Sequence, residues 1–166
     1  MKKCNTELMK EIKILEEKKN DILTLEEEEC KITYLEGEKK MDSNYSYDAV
    51  RKEIDEIDNE IRKYKSFLAV SNATTIVPEF NMTIGECLIY LASLNSKKSL
   101  LSSFASKKQI TRISSTYNTK VEYTELLYDV DKVKKELEDL QRLIAKLQMA
   151  IDRTNLTNLI EIWNRY

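Results

Sequence analysis

Apolar residues recur along this chain at helical spacing in four stretches, and polar breaks between them divide it into elements. The first stretch places Leu8, Ile12, Leu15, Ile22, Leu25, Ile32 and Leu35 on one imperfect stripe, interrupted by Lys19 and Glu29. It predicts a helix over residues 5–40, ended by Gly37 and the Asp42-Ser43-Asn44 turn. The second stretch is cleaner. Tyr47, Val50, Ile54, Ile57, Ile61, Tyr64 and Leu68 follow alternating steps of three and four, which keep one seam turned toward a partner helix. That helix is expected over residues 47–71, with the first helix as its antiparallel partner across a short polar connection.

Pro78 fixes a break between Asn72 and Asn81. Thr83-Ile84-Gly85-Glu86 then reads as a capping box, in which a hydroxyl accepts from the third backbone N–H while the glutamate reaches back. The helix it opens, over residues 83–106, carries Ile84, Cys87, Leu88, Leu91, Leu94, Leu101 and Phe104 and is expected to be the most buried element. From Gln109 to Tyr123 the helical period disappears. Ile110, Arg112, Val121 and Tyr123 flank Ser114–Thr119 in near alternation, which suits either a small β-hairpin near 110–123 or a structured loop.

The last long helix, residues 127–152, repeats the steps of three and four through Val130, Val133, Leu137, Leu140, Ile144, Leu147 and Ile151. A short tail helix over 156–163, with Leu159, Ile162 and Trp163, closes the chain. The expected fold class is all-α: long antiparallel helical hairpins or coiled coil, four main helices, one domain over residues 1–166.

The two seams echo one another at an offset of 83 residues. Tyr47 falls on Val130, Ile54 on Leu137, Ile61 on Ile144 and Leu68 on Ile151, and both helices end in Asn-x-Thr: Asn72 with Thr74, and Asn155 with Thr157. Any two heptad helices can be slid into register, so internal duplication and coincidence both stay open. Asn and Thr side chains bond nearby backbone groups, so capping is the expected role of the four end residues.

Composition narrows the chemistry. With 2 Gly, 1 Pro and 34% charged residues, the chain has few turn-makers and reads as long helix. Histidine is absent, no Cys-x-x-Cys pair exists, and Cys4, Cys30 and Cys87 lie far apart, so neither a metal site nor any cofactor is expected. No Gly-rich phosphate loop is present. Cys87 reads as a buried helical thiol, the carboxylates as exposed helix faces, and the run Glu26–Glu29 as a solvated face, so no catalytic residue is assigned. No apolar run approaches the roughly 20 residues of a membrane helix, and the polar residues after Lys3 break any export signal; a cytoplasmic location is expected.

Net charge is −2, yet from Cys87 to Val121 there is no acid, while Lys97, Lys98, Lys107, Lys108, Arg112 and Lys120 supply six positive charges. The remainder carries −8. Such a segment could meet an anion, a nucleic acid or the acidic face of a second subunit. Interspersed Ser and Thr with few aromatics offer no base-stacking platform, which favours the subunit.

Taken together, the heptad helix ending Asn72-Ala73-Thr74-Thr75, the capped helix from Thr83-Ile84-Gly85-Glu86, the basic serine-containing stretch and the last helix ending Asn155-Leu156-Thr157 resemble the bacterial septicolysin-like family. The resemblance covers nearly the whole chain and implies a small helical protein, with Arg112, Ser114, Ser115 and Lys120 in loose correspondence to the family's basic stretch. The family name hints at cytolysis, for which only the Trp163 tail offers a membrane-seeking segment. The leading expectation is a helical scaffold that self-associates through its two seams, as a dimer at least, because one chain can shield only part of them. The second expectation is an anion- or nucleic-acid-binding module through the basic segment 97–120, the third a cytolysin-like membrane activity, and an unknown protein partner is a further possibility.

Overall fold

The computed structural model describes residues 2–40, 42–113 and 121–162. Among these the order is β1 (Lys2–Cys4), α1 (Asn5–Glu29), α2 (Tyr47–Thr74), β2 (Ile76–Val77), β3 (Met82–Thr83), α3 (Ile84–Ala105), β4 (Ile110–Ile113), β5 (Glu122–Glu125), α4 (Val130–Thr157) and β6 (Leu159–Glu161). The chain is mostly α, with three small antiparallel strand pairs among the described residues: β1 with β6, β2 with β3 and β4 with β5. Sequence reading expects one domain. The chain groups into two compact units, residues 1–75 with 155–166, and residues 76–154.

In the first unit α1 and α2 are antiparallel, because their ion pairs run in opposite senses. Glu16 meets Lys65 at 2.7 Å, Lys19 meets Asp58 at 2.7 Å, Lys18 meets Glu53 at 2.8 Å, and Glu26 meets Arg51. Between these rows Ile12, Ile57 and Ile61 form the core, with Leu15, Ile22, Tyr64 and Leu68 packed on it.

Helix α1 stops at Glu29, eleven residues before the expected Lys40. Four glutamates in its last turn oppose the negative end of the helix dipole, with no basic residue there to offset them. The β-branched Ile32 and Thr33 follow, then Gly37 at φ +89°. The Glu26–Glu29 run is not wholly a solvated face: Glu26 also accepts from the Tyr45 hydroxyl at 2.8 Å, which fastens the start of α2 to the end of α1.

In the second unit α3 and α4 are likewise antiparallel. Lys97 meets Glu136 at 2.8 Å, while further along α3 the Phe104 ring meets Tyr128 edge-on at 5.2 Å and its carbonyl accepts the Tyr128 hydroxyl. Ile84, Cys87, Leu94 and Leu101 of α3 pack with Leu140, Ile144, Leu147 and Ile151 of α4, and Val77 joins them. Between β2 and β3, Asn81 takes φ +52°, a left-handed turn position that asparagine tolerates.

The expected hairpin is present as β4 and β5, with Arg112 opposite Tyr123. Helix α4 begins at Val130 and not at 127, because the Asp129 carboxylate accepts from the N–H groups of Asp131 (2.9 Å) and Lys132 (3.2 Å) and so sets the cap. The short tail helix over 156–163 is not formed by the described residues. Helix α4 continues to Thr157, and Leu159–Glu161 become a strand on Lys2–Cys4, closed by a Lys2–Glu161 ion pair at 3.5 Å. Trp163 lies outside the described residues.

The echo deepens in three dimensions. Helices α2 and α4 both span 28 residues and begin and end 83 residues apart. Each is followed two residues later by a strand, β2 or β6. Helices α1 and α3 begin 79 residues apart, each preceded by a strand and by an N-cap whose third helical residue, Glu7 or Glu86, returns to the cap backbone. The trailing strand of each sequence half pairs with the leading strand of the other: β2 with β3, and β6 with β1.

Candidate functional site

The seam residues fall into two groups, each satisfied inside its own unit. On α2, Ile54, Ile57 and Ile61 are buried, Val50, Tyr64 and Leu68 half-buried, and Tyr47 is 59% exposed. On α4, Val130, Leu140, Ile144, Leu147 and Ile151 are buried, with Val133 and Leu137 half-buried. Antiparallel helix pairing within the chain thus accounts for most of both seams, with Tyr47 at the start of α2 the exposed seam residue.

The helix-end motifs lead to a buried polar cluster in the first unit. Asn5 opens α1 at 1% exposure and donates its amide to the Asn155 side-chain oxygen at 2.8 Å. The Ser71 hydroxyl donates to the Asn5 oxygen at 2.9 Å, and the Asn158 amide donates to Ser71 (3.1 Å) and Thr75 (2.9 Å). Five side chains from the start of α1, the end of α2 and the end of α4 thereby satisfy one another, with Asn5 and Ser71 buried and the other three half-buried.

Of the four residues marked in the sequence, Asn155 belongs to this cluster. Thr74 bonds back to the Val70 carbonyl at 2.9 Å, Asn72 is half-buried, and Thr157 is the last residue of α4. Asn5, Ser71, Thr75 and Asn158 escape the motif reading. A signal for three of them existed: extending the 83-residue echo by one residue to each side pairs Ser71 with Thr154 and Thr75 with Asn158. Ser71 and Thr154 are both buried.

Beside the cluster lies an open groove of about 900 Å³. Phe67, Val70, Leu159 and Ile160 form its apolar wall, and Glu60, Lys63 and Glu161 its charged rim. On its lining the Ser71 and Thr75 hydroxyls and the Asn158 amide are bonded to one another. Among the described residues, no group of three or more Cys, Asp or Glu is placed to hold a metal ion.

The basic segment meets acids from elsewhere in its unit. Lys97 is paired with Glu136, Lys107 lies 5.2 Å from the Phe104 ring centre, and Lys107 and Lys108 border a groove shared with Glu125, Asp129 and Asp131. Arg112 sits on the exposed strand β4, Lys98 is half-buried on α3, and Lys120 lies outside the described residues. Cys87 is wholly buried, and burial pushes its thiol above the ordinary range, the neighbouring Glu86 adding to the effect.

Helix α3 departs most from expectation. It is not the most buried element: Leu88, Ile89, Tyr90 and Leu100 are exposed, Ile89 at 74% and Leu100 at 56%. Only one side of the apolar run Cys87–Ala92 packs on α4; the other faces outward. Among the described residues, no helix is long and apolar enough to cross a membrane.

No family model matches the sequence, and no curated protein matches it significantly. Among solved structures, the crystal structure of a functionally unknown conserved protein from Corynebacterium diphtheriae is similar in fold, at 16% identity and a TM-score of 0.69, over 97% of this chain and 100% of that one.

Proposed function

We propose that this chain is a non-catalytic helical scaffold whose work is self-association. The observation that carries the reading is the outward apolar side of α3, where Leu88, Ile89, Tyr90 and Leu100 stand exposed although the helix already buries a full face on α4. Large apolar side chains left exposed on a helix that already packs its other face mark an interaction surface. Because the α2 and α4 seams are largely occupied inside the units, the association surface moves from the seams to α3.

Anion binding by the basic segment has less support, since Lys97 is already paired with Glu136 and the Lys107–Lys108 groove is bordered by acids. On this reading the septicolysin-like resemblance describes a shared helical frame, and no lytic step is part of the proposal. Light scattering at micromolar concentration tests it. A stable oligomer is expected, and a monomer across the range would refute it.

A further inference from the structure

Helix α3 carries a second, outward heptad. Glu86, Ile89, Ser93, Ser96, Leu100 and Ser103 follow strict steps of three and four, and all six are exposed. Such a row turns one constant face outward along the 22-residue helix, about 33 Å long.

The row is self-complementary when reversed. Laid antiparallel on a second copy about a midpoint between Ser93 and Ser96, it sets Ile89 against Leu100, Ser93 against Ser96 and Glu86 against Ser103. Apolar residues then occupy the layer on each side of the middle and small ones the middle itself, where two helices approach most closely. Resting on the association reading above, we infer that α3 pairs antiparallel with α3 of a second copy of this chain, in the register that puts Ile89 opposite Leu100.

Three further observations fit this occupant. The flanking positions Ala92 and Ser99 are also small and exposed, so nothing bulky holds the helices apart on that side. Two hydroxyls of the row already have partners in their own helix: Ser96 in the middle donates to the Ala92 carbonyl at 3.1 Å and Ser103 near the end to the Leu100 carbonyl at 2.8 Å, so burying these two leaves their donors met. The ends are of opposite charge. Glu86 stands at the start of α3, while Lys107 and Lys108 follow its end, so an antiparallel pairing brings the lysines of each copy to the end of the contact that holds the other's Glu86. An isologous contact forms both charge pairs at once, which a parallel pairing would not.

The test is sedimentation equilibrium of the full chain and of Ile89→Lys, Leu100→Glu and the double variant, with circular dichroism on each. Both positions are exposed, so the helical signal should be unchanged. The expected result is a wild-type dimer, each single change weakening it by about tenfold or more, and recovery in the double variant, where the introduced lysine of each copy faces the introduced glutamate of the other. A wild-type monomer would overturn the association reading itself. Dimers that survive both single changes would leave that reading standing and overturn the α3 surface. Loss in both singles without recovery in the double would overturn the antiparallel register. If either variant lost helix, oxidation of a Cys30→Ser chain carrying Ser93→Cys and Ser96→Cys decides the question: cross-linked dimer supports the contact, and its absence refutes it.

Discussion

The Ser71 hydroxyl donates to the side-chain oxygen of Asn5 at 2.9 Å, although the two residues are 66 positions apart. Through this bond the end of α2 holds the start of α1, and through Asn155 the start of α1 holds the end of α4. Asn5→Ala removes the acceptor of Ser71 and the donor to Asn155, leaving buried polar groups unmet. Urea unfolding should show a loss of about 2 kcal/mol, and a change under about 0.5 kcal/mol would mean the cluster is not a structural tie.

The two capping boxes predict acid sensitivity. Cys4 N–H donates to the Glu7 carboxylate at 2.8 Å and Thr83 N–H to that of Glu86 at 2.7 Å. For both acids the backbone bond is the leading cause of a pKa below the ordinary 4.5. Their contribution is therefore fully present above the unfolded value and lost as pH falls through the lowered folded value. Urea midpoints followed from about pH 6 to about pH 3 should decline, and Glu7→Gln or Glu86→Gln, which keep the cap bond, should each flatten the decline. Equal slopes in variant and parent would remove the assignment.

Thiol reactivity should separate the three cysteines. Cys30 is exposed at the end of α1, whereas Cys4 and Cys87 are buried, with Cys87 further disfavoured by its raised pKa. A disulfide reagent should label one thiol quickly in the folded protein and the other two only on unfolding. Fast labelling of Cys87 would contradict the packing of α3 on α4.

The seams should be unequal along their length. Leu147 is 0% exposed, so Leu147→Ala should cost about 3 kcal/mol, within the range for a buried leucine. Tyr47 opens its seam more than half exposed, and Tyr47→Ala should change stability by about 0.5 kcal/mol or less. Chemical denaturation of the two variants checks both values.

These contrasts show what could be read from the chain and what could not. The steps from Val130 to Ile151 mark the α4 core because a buried helix face leaves a local period in sequence. The capping box at Thr83–Glu86 and the hairpin around Ile110 and Tyr123 are local for the same reason. The end of α1 was hidden because Ile32 and Leu35 prolong the stripe in phase, while the glutamate run that stops the helix looks like ordinary surface. The strand at Leu159–Glu161 could not be read, since its partner Lys2–Cys4 lies at the other end of the chain and each segment alone is too short to carry a period. Asn5 was missed for a similar reason: nothing near it in sequence announces that Ser71 and Asn155 will meet it. The outward row on α3 was concealed by the inward one, because Cys87–Ala92 is apolar on both sides.

The central claim is that this chain works as an assembly of copies of itself. Sedimentation equilibrium of the unmodified protein at micromolar concentration tests it most directly. The account predicts a species of twice the 19.5 kDa chain mass or more. A single species at the chain mass across the whole concentration range would contradict it.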